Sequence, residues 1–276
     1  RPSTGGDHGF SGPSLGKGKF KWLRGVVMGE EDDGAIYGIP AGAGSVLRIS
    51  PKDGSVSKIG SFPEQQWSWH GAALASNGMI YAIPSCADQV LKLDPITKEV
   101  SMIGPKMVGR NKFYGGITGN NGCIYGIPYR GDAVLQIDPK TEEISLLGKL
   151  PQGFGQNWHG GLKSPINGYI YAFPANAETV LQIIPETGEV SELSPEDGRP
   201  LKGKYKWLGG CLSREGNVYA VPSDTTEVLK IEPATGRITT FGEVPPTINK
   251  WQGGVLGPPG DDKIYCIPSD ADTVLV

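Results

Sequence analysis

The chain has 276 residues and a formal net charge of −3, with Gly (42) and Pro (23) making up nearly a quarter of it and no collagen-like period. That length can bury a sizeable core. The balanced charge excludes a basic field for nucleic acid and an acidic tail, and no apolar run approaches the ~18 residues of a membrane-spanning helix.

In chain order, the first residues read RPSTGG, which matches the middle of a later motif, EPATG at 232–236, rather than its start. The start at Arg1 is either a processed terminus or a cut end. Next comes a repeat centred on IYxIP. It occurs at 36–40, 80–84, 124–128, 170–174, 218–222 and 264–268, with tyrosines 44 to 48 residues apart. Around each core lie K-W-x-G-G-x-L before it, V-L-x-I-D-P-x-T-G after it, and then E-V-S-x-I-G. Each unit thus has four short β-branched or aromatic runs bounded by turn residues, which predicts strands. Asn77-Gly78, Asn121-Gly122 and Asn167-Gly168 supply the positive φ of tight hairpins. The proline ending each IYxIP lacks a ladder donor and suits a strand end.

Four antiparallel strands repeated at this period predict an all-β fold, a six-bladed β-propeller forming one domain over 1–276. The repeats run over about 19–64, 65–110, 111–154, 155–203, 204–248 and 249–276. The last repeat stops at its third strand, TVLV, and residues 1–18 are expected to complete that blade and close the ring. Seven blades, or a piece of a longer array, is the alternative.

Trp22, Trp69, Trp158, Trp207 and Trp251 share one register with Phe113 and are expected to pack between blades. Glycine pairs such as Gly209-Gly210 and Gly253-Gly254 let the inner strands crowd the axis. Cys86, Cys123, Cys211 and Cys266 have no metal-ligand spacing and read as small buried thiols. No nucleophile elbow, P-loop or HExxH motif is present.

One pattern exceeds packing. Lys21, Lys112, Lys206 and Lys250 precede the inner-strand aromatic in four units; in the other two, His70 and His159 follow it. The loop between the second and third strands belongs on the same face, and carries Asp88, Asp132, Glu178, Asp224, Asp270 and Asp272. The expectation is a ring of Lys, His and carboxylates around the channel mouth, either a solvated salt-bridge ring or a polar binding face. His70 and His159 lie two blades apart with Tyr114 on the blade between, and form the candidate acid–base or metal-binding set.

The D-P-x-T-G-E-V and G-x-I-Y motifs resemble those of NHL, gluconolactonase-like and streptogramin-lyase-like propellers. The whole repeat is most similar to K-W-x-G-G…IYxIP…VLxIDPxTG proteins of unicellular algae and protists. The gluconolactonase-like resemblance implies a divalent metal held by acidic and Asn side chains, of which Asn157 alone matches in type. The lyase resemblance implies a channel histidine, His70 or His159. With Lys at most channel-mouth positions, no metal or cofactor is expected.

The functional expectation is a non-catalytic binding or scaffold module with a protein partner, and a small polar ligand possible at the channel mouth. The alternatives are a channel-centred hydrolase or lyase using His70 and His159, and a lectin-like sugar binder supported by Trp67. Neither nucleic acid nor a membrane span is expected.

Overall fold

The structure is a computed structural model that describes residues 14–65, 67–151 and 155–276. Six antiparallel sheets follow one another along the chain, five of four strands and the last of two. This is a six-bladed β-propeller. The inner strands are Trp22–Val27, Trp69–Leu74, Phe113–Thr118, Trp158–Lys163, Trp207–Leu212 and Trp251–Leu256. The second strands are the six IYxIP segments. In the sixth blade Leu275 meets Cys266 in a single bridge rather than a full third strand. The expected completion by residues 1–18 falls mostly outside the described residues; 14–18 carry no strand. No helix among the described residues is long and apolar enough to cross a membrane.

The core is divided among the blade junctions. Five apolar clusters occur, each built from two successive blades, from the first pair to the fifth and sixth. The sequence explains how they form. The apolar residue before each strand-ending proline projects into the next blade, where the chain offers only small residues. Ile83 shows the fit: β-carbons added at Gly116 and Gly126 would lie 3.0 and 3.1 Å from its side chain. Ile39, Ile83, Ile127, Phe173 and Val221 are all 2% exposed or less. Cys266 occupies the small-residue site of the sixth blade and is buried.

Backbone bonds repeat the same rule. The N–H two residues or fewer before each inner aromatic donates to the carbonyl just after the preceding IYxIP: Ser68 to Ala41, Lys112 to Ser85, Asn157 to Tyr129, Lys206 to Ala175 and Lys250 to Ser223. Among the described residues Lys21 makes no such bond to Ser269, and Ile267 is 52% exposed. The sixth-to-first junction therefore differs from the other five.

Two side-chain latches reinforce the junctions. On one face, lysine ammonium groups reach back into the preceding blade. Lys112 Nζ donates to Ser85 and Ala87 carbonyls at 3.0 and 2.9 Å, and Lys206 Nζ to Ala175 and Ala177 at 3.0 and 2.9 Å. Lys250 Nζ donates to Ser223 at 2.7 Å. On the opposite face the hairpin asparagines do more than turn the chain. Asn77, Asn121 and Asn167 each donate from Nδ2 to their own blade's tyrosine hydroxyl and to a proline carbonyl of the next blade, at 2.6 to 3.0 Å. In the first blade Asp32 takes that role, held by Arg48 at 2.7 Å and by Lys98.

Buried carbonyls left without a donor cost about 1–3 kcal/mol each. Lys206→Met keeps the stem and removes the ammonium, so it should destabilise the protein by roughly 2–3 kcal/mol in urea unfolding. Unchanged stability would mean that the lysine latch holds nothing.

Candidate functional site

Every inner strand contains a bulge. The pairing skips one residue between the aromatic and the second glycine position, as between Trp69 and Ala72 or Trp158 and Gly161. A bulge adds a residue to one strand and re-aims its side chains. Here it turns the residue after each aromatic toward the axis. Leu23, His70, Tyr114, His159, Leu208 and Gln252 form the resulting ring around a central cavity of about 710 Å³. The following residue takes positive φ at Gly71, Gly115, Gly160 and Gly253, which glycine adopts without a β-carbon clash.

The structure brings His70, Tyr114 and His159 together. The His70 and Tyr114 rings stack with centroids 4.0 Å apart. Tyr114 lies 5.0 Å from His159, and the two imidazoles are 6.3 Å apart. Tyr129 closes the cluster, 4.2 Å from Tyr114 and 5.6 Å from His159. It follows IYGIP directly, where the other blades carry Ala or Ser.

His159 Nδ1 donates to the Leu208 carbonyl at 3.0 Å, which leaves Nε2 as a lone pair. His70 Nδ1 is buried without a hydrogen-bond partner. Burial, then the neighbouring His159 and Arg24, lower the pKa of His70 to about 3. Burial, with a smaller contribution from Arg24, lowers that of His159 to about 4 against the Leu208 hydrogen bond. Burial also raises both Tyr114 and Tyr129. At neutral pH the cluster is therefore uncharged.

A second tier sits at the channel mouth. The residue two before each inner aromatic has a left-handed backbone: Phe20, Trp67, Asn111, Gln156, Tyr205 and Asn249 have φ between 48° and 64°. Asparagine tolerates that region; bulky side chains rarely do. Three of the six are nevertheless aromatic, and all three line the cavity. Phe20 and Trp67 stack 5.2 Å apart, and Phe20 is 61% exposed. Tyr205 donates from its hydroxyl to Gln156 at 2.5 Å.

The expected Lys and carboxylate ring is not assembled as one surface. Lys112, Lys206 and Lys250 are buried, their ammonium groups committed to carbonyls, because a four-carbon stem lets the charge reach backbone acceptors. Lys21 donates to the nearby Gly16 carbonyl at 2.8 Å. Asp88, Asp132, Glu178, Asp270 and Asp272 are exposed, and none of the six candidate carboxylates forms an ion pair among the described residues. Asp224 instead accepts from the Asn249 N–H at 2.7 Å. The carbonyls of Asp88, Asp132 and Glu178, not their side chains, tie down the loops that follow.

Among the described residues no Asp or Glu side chain lines the cavity. Among the described residues no group of three or more His, Cys, Asp or Glu is placed to hold a metal. The divalent ion implied by the gluconolactonase-like resemblance does not fit this donor set. Asn157, its one matching residue, is buried and does not line the cavity.

Sequence reasoning missed Arg24, Phe20, Tyr129 and Tyr205. Arg24 and Tyr129 were visible once the repeats were stacked column by column, as a charged or large residue in a column otherwise glycine or small; Phe20 and Tyr205 share with Trp67 a column whose other three residues are amides.

Solved propellers have the same architecture. Virginiamycin B lyase from Staphylococcus aureus superposes with a TM-score of 0.69 at 15% identity, over 91% of this chain and 78% of that one. An auxiliary nutrient binding protein from Bacteroides ovatus gives 0.53 at 15% identity, over 89% and 66%. A protein assigned as a gluconolactonase gives 0.50 at 15% identity, over 91% and 87%. No protein-family model and no curated protein matches the chain. At this identity the likeness shows the propeller fold, which hosts both enzymes and binding proteins.

The buried histidines make stability depend on pH with a definite sign. Their folded pKa values lie below the unfolded value of about 6.5, so the unfolded state binds more protons in acid. Stability should fall as pH drops below ~6.5 and the loss should be complete near 3 to 4, at roughly 2–3 kcal/mol per histidine by pH 4.5. Urea unfolding of a His70→Gln/His159→Gln variant should show a flatter profile over that range. An unchanged slope would place both imidazoles in water.

Proposed function

We propose that the chain is a non-catalytic binding propeller whose binding element is the central cavity, taking a small molecule with a flat or ring-shaped body. The observation that carries this reading is the aromatic series at the mouth: Phe20, Trp67 and Tyr205 all hold left-handed backbone at one repeat position, and all face the cavity. Strain kept at a single repeat position is characteristic of functional sites. The cavity falls within the range of about 300–1,000 Å³ common for small-molecule sites. The expectation of a protein partner is retained for the exposed turns that carry Asp88, Asp132 and Glu178, and rests on the regularity of the blades.

A lyase-like reading has one specific support, the Nε2 lone pair of His159 beside the unpartnered His70. It is the weaker reading. A general base works best with a pKa near the operating pH, and these imidazoles sit near 3 and 4 with no carboxylate to activate them. The lectin reading merges with the main one, since sugars also stack on exposed aromatic rings.

The test is a thermal-shift and fluorescence screen of flat and cyclic small molecules against the wild type and a Phe20→Ala/Trp67→Ala/Tyr205→Ala variant. Hits should weaken about 10-fold or more in the variant, the loss of two or three ring contacts. Hits of equal affinity in both proteins would move the binding element elsewhere.

A further inference from the structure

The third residue of the inner-strand motif is glycine in five blades: Gly71, Gly115, Gly160, Gly209 and Gly253. In the first blade it is Arg24. Arg24 holds φ +61°, a left-handed conformation unfavourable for any residue with a β-carbon. Glycine would relieve that strain at once, so the side chain must matter at this position or the cost would be pointless.

The Arg24 side chain crosses the channel. Its Nη1 lies 4.0 Å from where a β-carbon on Gly115, two blades away, would sit. It lines the same cavity as His70, Tyr114 and His159. Arg48, Arg199, Arg214 and Arg237 each meet a carboxylate. Arg24, like Arg110 and Arg130, meets no carboxylate and no hydrogen-bond acceptor among the described residues, and of these three it alone lines the cavity. Desolvation lowers its pKa with nothing to oppose it. Among the described residues the cavity wall thus carries one cation, two neutral imidazoles and no acid. The Arg24 side chain is exposed within the cavity and open to an incoming anion, and no carboxylate among the described lining residues competes for it.

Resting on the cavity as the binding element, we propose that Arg24 anchors an anion subsite and that the ligand is a small aromatic carboxylate. The guanidinium fork matches the two oxygens of a carboxylate. One cation with no second basic group beside it suits a monoanion better than a dianionic phosphate. The stacked His70 and Tyr114 rings offer a face for a planar body next to that anchor.

The experiment titrates the purified chain calorimetrically with three pairs of probes that differ only in charge: benzoate and benzamide, 2-naphthoate and 2-naphthamide, indole-3-carboxylate and indole-3-carboxamide. Each carboxylate that binds should do so about 10–100-fold more tightly than its amide. Arg24→Gly should abolish that preference and raise Tm by roughly 2–4 °C as the strain is relieved. Arg24→Lys, which keeps the charge without the fork, should retain part of the preference. Equal affinities within each pair, or a carboxylate preference that survives Arg24→Gly, would overturn the anion subsite and leave the binding cavity standing. Absence of binding by all six probes, together with failure of the flat-ligand screen, would overturn both.

Discussion

The apolar side chain that ends each second strand is buried against the backbone of the next blade, and this contact governs the rest of the molecule. It fixes the distance between sheets, which requires Gly, Ala or Cys at the facing positions and so dictates the IYxIP and G-G signatures. It also separates successive inner strands enough for their bulges to open onto a shared axis. The lysine and asparagine latches close the same junctions from opposite faces. Each latch satisfies carbonyls that the approach of two sheets would otherwise leave stranded.

The fold was legible because repetition amplifies weak signals. One Asn-Gly or one Asp-Pro is an ordinary turn marker; set at matching places around six aligned IYxIP copies, such markers define blades. The sixth blade was legible to its third strand, TVLV, where the structure has the single Cys266–Leu275 bridge; its expected completion by residues 1–18 falls mostly outside the described residues. The channel set of His70, Tyr114 and His159 could be picked out because those residues break a repeat column. The lysines misled for a physical reason. Sequence shows a charge beside the channel mouth but not the direction of its stem, and Lys112, Lys206 and Lys250 turn away from solvent into neighbouring carbonyls. Backbone conformation was equally hidden: nothing in the letters of Phe20 or Arg24 announces a positive φ.

Burial and charge act together in the cavity. The imidazoles are kept neutral by their surroundings, and Arg24 adds to that effect from the channel floor. Among the described residues the cavity wall carries a single guanidinium and no carboxylate, which is the basis of the proposed discrimination by sign. The exposed carboxylates of the outer turns sit well away from this chemistry, their side chains in water and their backbones occupied in holding loops.

The bulge has a consequence of another kind. Frame and content occupy separate letters of the repeat. The aromatic before the bulge and the small residues after it build the wheel, while the letter between them is spoken only into the channel. Read around the axis, those letters spell Leu-His-Tyr-His-Leu-Gln. A change in one of them rewrites the lining while the apolar and lysine contacts of the junctions stay in place. The propeller behaves as a lock whose tumblers nevertheless touch: His159 reaches the Leu208 carbonyl of the next blade and His70 stacks on Tyr114, so those letters turn together rather than singly.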